Sequence, residues 1–260
     1  MWQSPSTREI TTSTCELVRN DKGVNIVEHK RLTLFAGHYG SGKTNIAVNY
    51  ALHLAAEGKK VCIADLDIVN PYFRTKDSAK VLAEAGVELI SPQFANTNVD
   101  LPALPAEAYR LVEDKSVYGI MDIGGDDRGA YALGRYVPSI LQENNYRMVF
   151  VANCYRPLTR TPEDAMEVMA EIESACGLRF TDIINNSNLG SETTPETVLQ
   201  SRDFIEKLSE LTNLPVFATT AVAAVAEKLQ GVVENLLPMQ LQEKYFDLPS
   251  QKPGNRPLWG

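Results

Sequence analysis

Hydrophobic positions are sparse up to about residue 30, and from Arg31 a regular rhythm begins. Short, nearly continuous apolar runs recur: RLTLFAG from Arg31, KVCIADLD from Lys60, VELIS from Val87, YGIMDIG from Tyr118, YRMVFVAN from Tyr146, FTDIINN from Phe180 and LPVFATT from Leu214. Runs of this kind predict strands covered by helices on both faces, because a strand with one wet face would alternate apolar and polar residues. Between the runs the pattern changes to helical spacing. Residues 43–57 put Ile46, Ala47, Tyr50, Ala51 and Leu54 on one face, with Gly58 as a natural stop. Further helices are predicted near 78–86, 103–115, 128–144, 162–176, 195–212 and 221–236. Strand–helix alternation of this length predicts an α/β fold, a doubly wound, mostly parallel sheet with helices on both faces. In such a sheet a ligand lies at the carboxyl edge of the strands.

The segments flanking this rhythm set the domain organisation. Residues 1–30 read as an N-terminal extension, 31–246 as one α/β domain and 247–260 as an irregular C-terminal tail rich in Pro and Gly. Within the extension, CELVRNDKGVNIVEH is compatible with a hairpin turning at Asn20–Gly23 or with a mobile arm. The first residues carry no apolar core of a secretory signal, and no apolar run reaches the length of a membrane span.

The decisive short stretch is GHYGSGKT, Gly37 to Thr44, which matches G-x-x-x-x-G-K-[ST] between a strand and a helix. Its glycines let the backbone curl so that several N–H groups converge on phosphate oxygens, and the helix start adds its positive end. Gly37, His38, Tyr39, Gly40, Ser41, Gly42, Lys43 and Thr44 are therefore expected around the phosphates. Lys43 reaches the β- and γ-phosphates, and Thr44 places its hydroxyl on Mg²⁺. Two further strands end in acids: CIADLD in Asp65 and Asp67, and YGIMDIGG in Asp122 ahead of Gly124 and Gly125. Carboxylates at strand ends beside a nucleotide hold Mg²⁺ or orient the attacking water. Gly125 can supply a backbone N–H to the γ-phosphate.

The loop, ADLDIVN, IMDIGG and the strand end Val151–Asn153 together resemble the ParA/MinD-like ATPases. These belong to a wider branch holding nitrogenase iron protein, the arsenite-pump ATPase and the nickel-insertion GTPases. The resemblance spans about residues 32–236. It implies that Asp67 orients the hydrolytic water, that Asp65 and Asp122 are tied to Mg²⁺ through water, and that Asn185 or Asn186 of DIINNSNLG meets the purine edge. The chain departs from the family first at position 38: His38 stands where a signature lysine usually reaches across a nucleotide-sandwich dimer. The four residues Asn185–Asn188 lack the Asp of the guanine-reading N-K-x-D, so adenine is favoured. NPYFR, from Asn70, has no family counterpart, and NCYRPLTRTPED places Arg156 and Arg160 near the carboxyl edge as candidate ligands for an acidic group.

Charge and the soft ligands narrow the reading. A formal net charge of -8 argues against a general nucleic-acid or anionic-membrane binder. The four cysteines lack C-x-x-C spacing and read as reduced thiols, while a subunit-bridging cluster would need Cys154 or Cys176 at an interface. With three histidines and no His-rich segment, the sequence offers little for a metal cargo. The leading expectation is a cytoplasmic, Mg²⁺-dependent, ATP-binding and slowly ATP-hydrolysing switch protein, with catalysis by Lys43 and Asp67. It acts on a protein partner of unknown identity, with a homodimer as one option and no membrane or general nucleic-acid partner. The alternatives are an ATP-dependent small-molecule synthetase of the same fold and a nickel-insertion-type metallochaperone GTPase. In the absence of the signature lysine, His38 is expected to act within its own subunit, or an arginine such as Arg74 or Arg128 replaces the lysine across a dimer.

Overall fold

The seven apolar runs do become strands, and their alternation shows why both sheet faces are dry. The computed structural model describes residues 18–19, 25–26, 29–66, 78–90, 106–124 and 127–241. Two short strands, β1 (Val18–Arg19) and β2 (Asn25–Ile26), pair antiparallel, as the hairpin reading required. The main strands are β3 (Leu32–Ala36), β4 (Val61–Leu66), β5 (Glu88–Ile90), β6 (Tyr118–Ile123), β7 (Tyr146–Ala152), β8 (Asp182–Asn185), β9 (Val216–Val222) and β10 (Leu236–Met239). They form an eight-stranded sheet in the order β10-β9-β8-β7-β3-β6-β4-β5, and every pairing in it is parallel.

Along β3, Leu32, Leu34 and Ala36 join one core cluster while Phe35 joins the other, the period of two expected of a strand. The Phe35 face packs on the helix α1 (Lys43–Ala56), through Ile46, Ala47, Tyr50, Ala51 and Leu54. α2 (Ala79–Glu84) adds Leu82 to that side. The opposite face is covered by α3 (Arg110–Glu113), α4 (Asp127–Gly134), α5 (Val137–Glu143) and α6 (Pro162–Cys176). β3 lies between β6 and β7, so the chain winds to one side of it and then to the other. The crevice where that reversal occurs opens at the carboxyl ends of these central strands.

Three helix expectations needed correction. The predicted helix over 128–144 is two helices, α4 and α5, because Pro138 stands in the first turn of the second. The predicted 195–212 helix is α7 (Pro195–Gln200) and α8 (Arg202–Thr212), divided at Ser201, whose buried hydroxyl donates to Val198 O at 2.7 Å. This local bond competes with the helical ladder. The predicted 221–236 helix is the shorter α9 (Ala223–Leu229), followed by the edge strand β10. Gly231 at φ 76° turns the chain, and Pro238 is tolerated because β10 lies at the edge of the sheet.

β10 is fastened to α1 by one side chain. Asn49 Nδ2 donates to Gln240 O at 2.9 Å, and Gln240 N donates back to Asn49 Oδ1 at 2.8 Å. Asn49→Ala is expected to cost about 1–2 kcal/mol, two bonds at roughly 1 kcal/mol each. Native-state hydrogen exchange should show the Gln240 amide losing protection more than amides in β7. Equal protection at Gln240 in parent and variant would contradict this anchoring role.

Candidate functional site

Helix α1 starts directly behind the Gly37–Thr44 loop. Its N-cap is Gly42, no side chain caps it, and its first turn holds no acid. By contrast, α6 and α7 carry complete capping boxes from Thr161 and Thr194, with acids in their first turns. The first-turn N–H groups and positive end of α1 face the loop that precedes them.

That loop is held open by named contacts. His38 O accepts from Ser41 N at 3.1 Å and from Lys43 Nζ at 3.2 Å, so the lysine folds back over the curl. Gly37 presses against β7: a Cβ there would lie 2.7 Å from Val151 O. Gly42 is left-handed, with φ 93° and ψ 20°, and a Cβ there would lie 2.2 Å from Asn186 Nδ2. Lys43 and Thr44 are buried in the first turn of α1. Tyr39, beside the exposed Gly40, is 53% exposed.

Asn186 explains the tight approach. Its Nδ2 donates to Ser41 O at 2.6 Å, and its Oδ1 accepts from Thr220 Oγ1 at 2.6 Å, so the amide clamps the loop to β9. Asn185 donates through Nδ2 to Ser201 Oγ at 2.9 Å and accepts from Ser187 N at 3.2 Å. Both asparagines are buried. The amides that the sequence assigned to a purine edge are thus engaged with the protein, Asn186 with the phosphate loop itself.

The acids converge as well. Asp65 on β4 and Asp122 on β6 are register partners, and Asp122 is also opposite Phe35 of β3. Ile63 and Ile120, two residues earlier on each strand, pack in the cluster with α1. The pleat therefore turns both carboxylates to the α1 face, where Thr44 begins the helix. Both are buried. Two carboxylates side by side, with a hydroxyl nearby, form a set of hard oxygen donors suited to Mg²⁺.

Buried polar atoms without a hydrogen-bond partner gather around the loop: His38 Nδ1, Ser41 Oγ, Asn153 Nδ2 and Arg156 Nε. Arg156, in the turn after β7, lies against the loop, its Nε 3.7 Å from where a Gly40 Cβ would be. The sequence marked Arg156 only as near the carboxyl edge, since the contact joins residues 116 apart in sequence and no local signal reports it. His38 is half-buried. Burial pushes its imidazole below the usual range, and the charges of Lys43 and Arg156 add to that shift, against an opposing Tyr39 backbone contact. The ring is neutral at pH 7, and Arg156 rather than His38 brings the extra positive charge to the loop.

Asp67, Gly125, Arg74 and the rest of NPYFR fall outside the described residues, as does the Arg128 side chain. Cys62 and Cys176 are buried and Cys154 is half-buried, each with its thiol pushed up by burial, Cys62 to about 12. Among the described residues, no helix is long and apolar enough to cross a membrane.

No protein-family model matches the chain. The chain is 44% identical over 63 residues to the iron-sulfur cluster carrier protein of Escherichia coli K12, and 43% identical over the same length to that of Salmonella typhimurium LT2. Each match covers 24% of this chain and 17% of the relative, so under a fifth of the relatives' length is matched. Among solved structures, the cell-division protein FtsY of Thermotoga maritima superposes with a TM-score of 0.52 at 17% identity, covering 78% of this chain and 66% of that one. This likeness shows the fold: an α/β P-loop NTPase-like sheet with its helices.

The Gly42 geometry has a measurable consequence. Gly58 is also left-handed, φ 79°, but nothing lies within 4 Å of a Cβ there. Gly58→Ala should cost about 1–2 kcal/mol, the backbone penalty alone. Gly42→Ala should cost more in thermal unfolding, because the Asn186 amide must also leave Ser41 O. Equal costs at the two positions would show that the Asn186 clamp is not tight.

Proposed function

We propose that the chain is a Mg²⁺-dependent ATP-binding and slowly ATP-hydrolysing switch protein of the ParA/MinD-like kind, acting on a protein partner. The observation that carries this reading is the uncapped start of α1 behind the Gly37–Thr44 loop, facing the paired acids Asp65 and Asp122. A phosphate chain accepts hydrogen bonds from the first-turn N–H groups of α1 and from the ammonium of Lys43. Mg²⁺ supplies charge neutralisation on the phosphates, held by Thr44 and, through water, by Asp65 and Asp122. Asp67, next in sequence after β4, orients the attacking water, and Gly125 donates its N–H to the γ-phosphate. The partial likeness to iron-sulfur cluster carriers supports the ParA/MinD-like placement, while the buried thiols of Cys62 and Cys176 give no support for a cluster on this chain. The nucleotide-binding unit is taken as 31–246, with 1–30 and 247–260 as appendages.

The departure at position 38 is explained by Arg156. The neutral His38 cannot replace a lysine's charge, whereas Arg156 reaches the loop from its own subunit and presents a guanidinium beside Gly40. A cis arginine at the phosphates stabilises the charge that develops during phosphoryl transfer. Exposed Tyr39, Leu158 and Leu189 rise from the loops after β3, β7 and β8, on the edge that also holds the phosphate loop. They offer a partner an apolar surface next to the nucleotide. Arg156 also favours a second reading, a small-molecule synthetase in which its guanidinium binds a substrate carboxylate.

Three measurements test these assignments. Calorimetry with Mg²⁺ should show ADP binding more tightly than GDP, since no Asp follows Asn185–Asn186 to read guanine. Tighter GDP binding favours the metallochaperone GTPase instead. Lys43→Ala should abolish nucleotide binding, whereas Asp67→Ala should retain ATP and stop turnover; turnover at the parent's rate in Asp67→Ala removes that residue from the mechanism. Arg156→Ala should slow phosphate release at least about tenfold, with a smaller effect on ADP affinity. An unchanged rate in Arg156→Ala, with loss in His38→Ala, reverses the two roles.

A further inference from the structure

Two of the chain's three histidines meet far from the phosphate loop. His29 precedes β3, while His53 and Glu57 stand one turn apart at the C-terminal end of α1. His29 Nε2 is 3.1 Å from Glu57 Oε2, and His53 Nε2 is 3.3 Å from Glu57 Oε1. One ligand atom from each of the three residues lies within 4.8 Å of the other two. Around a tetrahedral zinc with bonds of about 2.0–2.1 Å, neighbouring ligand atoms lie about 3.3 Å apart. The two nitrogen-to-carboxylate distances, each to a different oxygen of Glu57, lie close to that value.

The surroundings favour an ion over a simple hydrogen-bonded cluster. His29 Nδ1 is 3.0 Å from the hydroxyl of Tyr50, itself almost fully buried, which fixes the ring and leaves Nε2 facing Glu57. A phenolic or carboxylate partner on the far nitrogen is how a metal-binding imidazole is oriented. Glu57 is the C-cap residue of α1, where the helix dipole disfavours a carboxylate that has no cation beside it. The His53 side chain is 38% exposed and that of Glu57 25%, so the cluster is reachable from solvent.

The geometry points to a divalent transition-metal site, of the zinc class, formed by His29, His53 and Glu57 with water in the fourth position. Two imidazoles and one carboxylate suit zinc, cobalt or nickel better than magnesium or calcium. The site lies at the opposite end of α1 from the phosphate loop, about 20 Å along the helix. A bound ion ties the segment leading into β3 to the C-terminal end of α1. This assignment stands independently of the nucleotide reading.

The test uses the full chain stripped with chelator and free of nucleotide. Calorimetric titration with Zn²⁺ should show one saturable site, and Co²⁺ should give a tetrahedral visible spectrum without a thiolate charge-transfer band. His53→Ala and Glu57→Gln, both at the surface, should weaken Zn²⁺ at least about tenfold while circular dichroism shows an intact fold. Tyr50→Phe, which removes only the orienting hydroxyl, should weaken it about tenfold. The proposal is overturned by no saturable binding, by parent-like affinity in His53→Ala and Glu57→Gln, or by a thiolate band. It is also overturned if Asp122→Asn loses the ion while His53→Ala keeps it, which would move the metal to the phosphate-loop acids.

Discussion

The structure depends on how the first turn of α1 meets the loop that precedes it. Every helix must satisfy the N–H groups of its first turn, and α6 and α7 do so with their own threonines. α1 instead begins at a left-handed glycine, without a capping side chain or an acid, in the most central crevice of the sheet. The tight packing around the loop follows from that choice. Asn186 holds Ser41 O, His38 O receives both Ser41 N and Lys43 Nζ, and Gly37 is pressed onto the backbone of β7. These contacts fix the loop from β9, β7 and its own lysine.

The same constraint organises the charges. The parallel register sets Asp65 beside Asp122 on the α1 face, while Lys43 and Arg156 approach from the loop side. Anionic phosphates and a divalent cation fit between these two groups. The burial of His38 Nδ1, Ser41 Oγ and Arg156 Nε without partners is costly in an isolated protein and is offset when a ligand supplies the missing bonds.

Much of this was legible in the sequence, for physical reasons. Strands buried on both faces leave unbroken apolar runs, so seven main strands and the winding of the sheet could be read directly. The phosphate loop was legible because its chemistry is local: glycines, lysine and threonine act within eight consecutive residues. β10 was missed because it is an edge strand containing Pro238, with only partial burial to mark it. The breaks at Pro138 and Ser201 were missed because the apolar stripe continues across them. Long-range contacts left no local trace. The Asn186 clamp on Ser41, the approach of Arg156 to Gly40, and the meeting of His29 with His53 and Glu57 each join segments that only the folded sheet brings together. Histidine spacing alone therefore gave no sign of a metal site.

The central claim is that the first-turn amides of α1 and its loop receive the phosphates. Hydrogen exchange resolved to single amides, with and without saturating Mg²⁺–ADP, tests it directly. The account predicts that the amides from Gly40 to Asn45 become markedly protected on binding, while those in the capped first turns of α6 and α7 stay unchanged. Saturable binding of Mg²⁺–ADP with no change in protection from Gly40 to Asn45 would contradict it.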